Sequence, residues 1–422
     1  MNAPRSPADA SVAPPPASRR ALAFIVLLVW IDTLSFGLVI PVLPNLVMTL
    51  GDVSLSEASA IGGWLVMSFA VAQFLASPIL GGLSDRYGRR PVLLVSSAGH
   101  ALAFLIAAFA PNLLVLLLGR IISGATGASY STAYAYIADV TPPERRAQNF
   151  GLVGVAFGLG FMAGPALGGL LGATDYRLPF IAASVACLVN FALGWFVLPE
   201  SLRPSLRRPF SLARANPFAT FRRLSGLGGP LLVLAIVHFL WWMAIQAQHT
   251  IWPYYTQYRY GWSPQEVGLS LGVVGLLSVL VNGLVVKRAV KRLGEARTLR
   301  AGLLAGTFAL TLYALADSPA VLFGGILIGS LGALGPASLQ ALATSMTAPD
   351  AQGELQGALN AISSVTIVLG PPLYSQIFAN MSGVEPLLRL PGAPFFVAAT
   401  MAGAAFLLVT LGLRVPRRIG RG

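Results

Sequence analysis

The strongest constraint on this chain is a succession of apolar runs, each about 20 residues long, the length at which an α-helix crosses the hydrocarbon core of a bilayer. Twelve are predicted, at residues 21–44, 58–80, 91–110, 112–138, 147–172, 179–198, 230–252, 265–286, 299–316, 319–345, 354–379 and 394–413, numbered spans 1 to 12 in chain order. Charged residues make up 10% of the 422 and hydrophobic ones 55%, whereas a soluble domain carries roughly 25% charge. So few charges cannot coat a water-soluble fold of this size, and the lipid bilayer is the expected surroundings. Backbone groups in lipid must bond internally, so runs of this length give an all-α integral membrane fold.

A net charge of +13 would point to nucleic acid in a soluble protein. Here the placement of the charges argues against that partner. Of the 28 Lys and Arg, 24 lie at the two termini or beside the connections that follow the even-numbered spans. Arg177, Arg259 and Arg389 lie at the other end, and Arg120 lies within span 4. The positive-inside rule then puts both termini and the turn at 81–91 on the cytoplasmic side. Arg19-Arg20 before an apolar run faintly resembles a twin-arginine export signal. The run is long and carries Asp32, with no small-residue cleavage site after it, so span 1 is expected to stay in the membrane. The single cysteine, Cys187, falls inside span 6 and has no partner for a disulfide within the chain.

The expected organisation is a disordered cytoplasmic segment at 1–20, rich in Pro, Ala and Ser, and a six-helix bundle at 21–198. A cytoplasmic linker at 199–229 carries six Arg with Pro204, Pro209 and Pro217. A second bundle at 230–414 and a tail at 415–422 complete the chain. The two halves repeat at an offset of 206 residues: Thr141-Pro-Pro-Glu144 falls on Thr347-Ala-Pro-Asp350, Arg86-Tyr-Gly88 on Arg292-Leu-Gly294, and Gly164-Pro165-Ala-Leu on Gly370-Pro371-Pro-Leu. Two parallel six-helix repeats make a pseudo-symmetric transporter architecture.

Asp32 is the sharpest candidate for chemistry. It is the only carboxylate well inside a span, about 18 Å along the helix from Arg20. An ionised group at that depth is costly, so such acids face polar interiors and exchange protons. A structural carboxylate bonded to a hydroxyl such as Ser35 is the alternative. Arg120 is the buried cation, as fit for tuning Asp32 or contacting substrate as for packing against carbonyls. His238, at the repeat position of Asp32, is a titratable imidazole; it and His100 are candidates for proton handling or for the pocket wall, beside the plainer reading of packing histidines.

Gly81, Asp85, Arg86, Gly88 and Arg89, with Asp139 at the end of span 4, are expected to form a cytoplasmic gate. Exposed ion pairs are worth only ~0–1 kcal/mol each, a small bias that suits a latch which must open. Lys291 replaces the acid in the second repeat. The small residues Gly160, Gly164, Pro165 and Gly168 let span 5 approach a neighbour closely and bend. Substrate contacts are expected from Gln73, His100, Trp241, Gln246, Gln340 and Asn360, and also Trp64 and Trp242, since aromatic and amide groups suit an amphipathic ligand. Trp252, Tyr254, Tyr255, Tyr258 and Tyr260 read as an interfacial aromatic belt. The sequence has no phosphate-binding loop, and its three His have no carboxylate at metal-ligand spacing. Neither an enzyme nor a cofactor or metal is expected.

With these features in place, the chain resembles the major facilitator superfamily. Gly81-x-Leu83-x-Asp85-Arg86-x-Gly88-Arg89-Arg90 is similar to its signature turn, Leu118-Gly-Arg120-Ile-Ile-Ser-Gly124 to its span-4 arginine motif, and Gly160-x-x-x-Gly164-Pro165-x-x-Gly168-Gly169 to the span-5 motif of its drug–proton antiporters. Asp32-Thr-Leu-Ser-Phe-Gly-Leu-Val-Ile-Pro41, Pro336-Ala-Ser-Leu-Gln340-Ala and Gly353-Glu-Leu-Gln-Gly357 look like the bacterial tetracycline-type branch.

The resemblance implies a monomeric transporter in a bacterial inner membrane. It would export a small amphipathic drug or antibiotic in exchange for protons, with Asp32, Arg120 and His238 in proton coupling. The sequence departs from that branch where a second acid often stands in span 3, at Ala103, and in the absence of ionisable residues from the middle of spans 8 and 9. Another drug or a metabolite therefore fits as well as tetracycline. A proton-coupled metabolite symporter and a non-transporting membrane sensor share the fold and remain alternatives.

Overall fold

The computed structural model describes residues 19–127, 129–211, 229–348, 351–383 and 388–412. The expected disordered N-terminus (apart from its last two residues), most of the 199–229 linker and the 415–422 tail lie outside the described residues. Among the described residues, twelve helices are long and apolar enough to cross a membrane: Arg20–Val39, Leu55–Tyr87, Arg89–Ala108, Leu113–Val140, Glu144–Gly172, Leu178–Val197, Gly229–Tyr260, Pro264–Leu293, Glu295–Leu315, Pro319–Ser345, Gln352–Ser382 and Ala393–Gly412. They are spans 1 to 12. Their outer surfaces carry exposed Leu, Val and Phe, with Phe196 86% exposed, a coat compatible with lipid and not with water.

The spans differ from the predicted runs mainly at their ends. Span 2 runs 33 residues, about 50 Å at 1.5 Å per residue. Its last turns take in residues 81–87, so the expected turn at 81–91 contracts to Gly88. Nothing between Leu83 and Tyr87 breaks a helix, whereas Gly88 takes φ 112°, a conformation open to glycine and costly for other residues. Gly294, 206 residues on, reverses the chain between spans 8 and 9 with φ 77°. Spans 2 and 8 also begin alike, with the capping boxes Ser54/Glu57 and Ser263/Glu266, each satisfying orphan donors at a helix start.

Span 1 stops at Val39, before Pro41, and the chain resumes as a short helix, Leu43–Gly51. Span 4 is broken after Ala125 and resumes at Ser129. Span 10 is broken by a 3-10 turn at Leu331–Ala333, the corresponding place in the second repeat. Span 7 extends to Tyr260, and of the aromatic run at its end Trp252 and Tyr255 are packed inside the second half, Tyr254 lies against spans 2 and 4 of the first half, and Tyr258 is 40% exposed. Trp252 and Tyr255 are fully buried against Tyr313 and Phe395. This corrects the expected interfacial belt at Trp252, Tyr254 and Tyr255, because the helix continues past residue 252 and turns these three rings inward.

Each half packs chiefly on itself, and the halves meet along two seams, span 5 against span 8 and span 2 against span 11. The repeat exchanges these seams, since span 2 corresponds to span 8 and span 5 to span 11. Hydrogen bonds join the halves at the end opposite the basic turns. Ser56 Oγ donates to the Ser382 carbonyl at 2.9 Å, and Gln257 Nε2 to Asn45 Oδ1 at 3.1 Å.

The apolar core follows the same pattern. One cluster runs through both halves, and its members in the first half, such as Leu38, Val47, Leu65, Phe104, Leu116 and Phe180, lie toward that end. A second cluster of Phe24, Leu28, Leu93, Tyr136 and Val153 belongs to the first half alone and lies toward the basic end. The core is shared at one end and divided at the other.

Candidate functional site

Asp32 lies midway along span 1 and is 7% exposed. Neither carboxylate oxygen makes a hydrogen bond of good geometry, although the Ser129 and Asn190 side chains are near enough to act on it. Around it stand His100 from span 3, Ser129 and Tyr130 from span 4, and Cys187 and Asn190 from span 6. Ser129 Oγ and Asn190 Oδ1 are likewise buried without a partner. Among the described residues no Lys or Arg pairs with Asp32, and the His100 imidazole is the neighbour that can carry an opposing charge. A proton arriving there changes the local charge by one, with no salt bridge to absorb the change. His100, expected at the substrate, is placed beside this acid, its ring 6.5 Å from Phe104.

Span 5 reaches this region through its glycines. Gly160, Gly164 and Gly168 are four residues apart, so they share one face, and that face meets span 1. A Cβ on Gly160 would lie 2.8 Å from Thr33 Cβ, and one on Gly164 would lie 2.7 Å from the Leu34 carbonyl oxygen. Gly168 abuts the backbone of Leu38, and Pro165 abuts Gly37. An adjoining face carries Gly169, whose Cβ would lie 3.1 Å from Gly268 Cα of span 8. Span 5 is therefore held between the helix bearing Asp32 and the opposite half of the molecule, at backbone distance from both.

A cavity of about 370 Å³ opens between spans 5, 7, 8, 9 and 10. Its walls are aromatic (Phe157, Phe161, Trp241, Trp242), with polar positions at Gln248, His249, Ser278, Asn282 and Ser330. None of its lining residues is Asp, Glu, Lys or Arg. His249 is exposed by surface area and lines this space.

Of the expected substrate contacts, Trp241 and Trp242 line the cavity and the others do not. Gln246 is buried against Gly370 of span 11, and Gln73 Nε2 donates to the Gly127 carbonyl at 3.1 Å in the break of span 4. Trp64, Gln340 and Asn360 are not part of the wall. Phe157, Phe161, Gln248 and His249 were not anticipated. The helical phase carried the signal: positions 241, 242, 245, 248 and 249 fall on one face at 3.6 residues per turn, and Gln246 falls off it.

Arg120 is buried in the outer part of span 4, its guanidinium carbon 4.8 Å from the Phe69 ring centre and its charge facing Tyr254 of span 7. Arg120 Nε and the Tyr254 hydroxyl are both without a hydrogen-bond partner. The arginine thus belongs to the end where the halves share a core and makes no ion pair with Asp32. His238 is also apart from Asp32: its Nε2 bonds Ser363 Oγ at 2.9 Å and its ring lies 6.0 Å from Trp242.

At the basic end, Arg89 binds Asp85 at 2.5 Å and Asp139 at 3.1 Å, and also reaches Ser84 Oγ. Arg86 lies over the Tyr87 ring, so within the expected gate it is Arg89 that meets Asp139. Glu200, unanticipated, accepts the backbone N–H groups of Arg89 and Arg90 at 2.8 and 3.2 Å, an acid at the N-terminus of span 3 where the helix dipole favours one. Gly88 is tight here as well, since a Cβ on it would run into the Glu200 carboxylate. Gly81 has open space around it. Residues 84–90, Asp139 and residues 200–201 form one cluster on the first half.

The family model described as Major Facilitator Superfamily matches residues 25–316 and 234–421. The chain is 40% identical over 387 residues to the tetracycline resistance protein, class C, of Escherichia coli, covering 91% of this chain and 96% of that one. It is 35% identical to the class G protein of Vibrio anguillarum, covering 86% and 92%. Among solved structures it is similar in fold to the human organic anion transporter MFSD10 (TM-score 0.71, 24% identity, 94% of this chain and 100% of that chain). The D-xylose–proton symporter gives a TM-score of 0.75 at 16% identity, over 93% and 96%. With its twelve spans in two repeats, its glycine-lined fifth helix and these relatives, the chain belongs to the major facilitator superfamily: it is a multi-pass membrane transporter and not an enzyme.

Proposed function

We propose that this transporter exports a small amphipathic compound, a drug or antibiotic, in exchange for protons, by alternating access between its two halves. The observation that carries the reading is Asp32, a buried carboxylate with no Lys or Arg partner, beside the helix that packs against both the acid-bearing span and the other half. Resistance proteins at 30–40% identity over most of the chain support export of a toxic compound, and tetracycline is the first compound to try. With the Arg-rich turns on the cytoplasmic side, a core shared at the outer end and divided at the basic end corresponds to an inward-facing state. Both termini are then cytoplasmic, and the protein works as a monomer in a bacterial inner membrane.

In this reading the cavity binds the compound from the cytoplasm. Protonation of Asp32 from outside favours the return to the inward-facing state, and the Arg89 cluster biases the gate. Arg120 acts in the outer seal, and His238 borders the cavity through Trp242. The test is drug-driven proton release in everted membrane vesicles, comparing the natural chain with Asp32→Asn.

A further inference from the structure

The acid and the cavity do not touch. Asp32 is enclosed by spans 1, 3, 4 and 6, whereas the cavity belongs to spans 7 to 10 and one side of span 5. Proton and substrate therefore do not compete for one group, and their coupling needs a physical connection. One continuous row of side chains spans the gap. Thr33, the neighbour of Asp32, is hydrogen-bonded to the Tyr130 hydroxyl. Thr33 Oγ1 donates its own proton to the Val29 carbonyl at 2.9 Å, so Tyr130 is the donor in the bond between them. The Tyr130 ring meets Phe157 edge-on at 5.8 Å, Phe157 stacks on Phe161 at 6.3 Å, and Phe161 lies 6.0 Å from the His249 ring. Phe157, Phe161 and His249 all line the cavity. The row leaves span 1, crosses spans 4 and 5, and ends in the other half.

We infer that the row Thr33–Tyr130–Phe157–Phe161–His249 couples the proton site to the substrate cavity, with Tyr130 as the positioning residue. This rests on the reading of Asp32 as the proton site. Tyr130 and Phe157 meet edge-to-face, a preferred arrangement of aromatic rings, so a tilt of Tyr130 moves Phe157 with it, and Phe157 is part of the cavity wall. The hydroxyl of Tyr130 is what ties that tilt to the residue beside Asp32. The titratable groups facing Asp32 are His100 from span 3, Tyr130 from span 4 and Cys187 from span 6. Span 5 contributes none between Phe150 and Gly172. Around the cavity Tyr313 is the one titratable lining residue besides His249.

The experiment reads the cavity without a ligand. The full-length protein in detergent carries Trp30→Phe, which removes the indole nearest Asp32, and the fluorescence of the remaining tryptophans, Trp241 and Trp242 among them, is followed from pH 5 to 9. The background is expected to show a pH step that Asp32→Asn removes. Tyr130→Phe, which keeps the ring and deletes the hydroxyl, is expected to reduce the step amplitude about 5-fold or more, the lower range of measurable site–site coupling. Thr33→Val, which deletes the same bond from the other side, is expected to match it, with melting temperatures within a few degrees of the background. A step of unchanged amplitude and midpoint in both Tyr130→Phe and Thr33→Val, with its loss in Asp32→Asn, overturns the coupling row and leaves Asp32 as the proton site. A background with no step that depends on Asp32 overturns the proton-site reading itself, and the row with it.

Discussion

Gly160 of span 5 stands so close to Thr33 of span 1 that a Cβ on the glycine would lie 2.8 Å from the threonine Cβ. Thr33 follows Asp32 directly, so the glycine face of span 5 is in contact with span 1 one residue away from the acid proposed as the proton site. The same helix, on its opposite side about half a turn round from Gly160, touches span 8 through Gly169. In the proposed alternating-access cycle, these backbone contacts would carry relative movement of the two halves to the acid-bearing helix.

Gly160→Ala tests this contact. The added methyl has backbone on one side and the stiff Thr33 on the other, so it is expected to cost about 1–3 kcal/mol of overpacking and to cut transport at least 10-fold. Gly154→Ala is the control, because nothing lies within 4 Å of its Cβ position; it is expected to be neutral or slightly stabilising, as alanine favours a helix over glycine by up to ~1 kcal/mol. Transport assays and thermal melts of both variants check the pair.

The gate cluster makes a second prediction. Arg89 holds two carboxylates while only 12% exposed, and Asp139 also accepts from Ser201 Oγ at 3.0 Å. Removing the Asp139 charge with Asp139→Asn leaves the guanidinium partly unpaired and is expected to cost about 1–3 kcal/mol. Exposed Arg86, bonded to neither acid, is expected to tolerate replacement within ~0.5 kcal/mol. Thermal melts order the two variants, and a larger loss from Arg86→Gln than from Asp139→Asn would contradict the assignment.

Glu200 gives a third. It caps span 3 and fills the space beside Gly88. Glu200→Ala is expected to destabilise by about 1 kcal/mol, the usual worth of a helix cap. Gly88→Ala is expected to be worse, because it adds strain at φ 112° to a clash with the Glu200 carboxylate. Melts of the single variants and of the double variant separate strain from clash: the double variant relieves the clash only.

Arg120 supplies the fourth. It lies in the end of the molecule where the halves share a core and faces Tyr254 across the seam between them. Arg120→Ala is expected to loosen that end. A thiol-reactive probe at a cysteine introduced at Ser59, which is fully buried there, would report it as labelling at least several-fold faster than in the natural background. Unchanged labelling would place Arg120 outside the seal.

Much of this was legible in the sequence, for identifiable reasons. Span number and repeat followed from apolar length and from motifs recurring at one offset, signals that bilayer thickness enforces. Asp32 stood out because an acid in a span is rare. Helix ends were not legible where nothing breaks the helix: span 2 continues through residues 81–87 and span 7 through the aromatic run to Tyr260. Side-chain type points to aromatic and amide residues as substrate contacts, and type does not say which way a helix is turned. Gln246 and His249 are three residues apart, yet one is packed against Gly370 and the other faces the cavity. Partners distant in sequence, such as Glu200 beside Gly88 or Tyr254 beside Arg120, left no sequence signal at all.

The most direct measurement is proton movement driven by drug in everted vesicles. With an acidic lumen, adding tetracycline to vesicles bearing the natural chain is expected to release protons at a rate that saturates with the drug. Vesicles bearing Asp32→Asn, with the protein present in equal amount, are expected to release none above background. Drug-driven proton release at the normal rate from Asp32→Asn would contradict the assignment of Asp32 as the proton carrier.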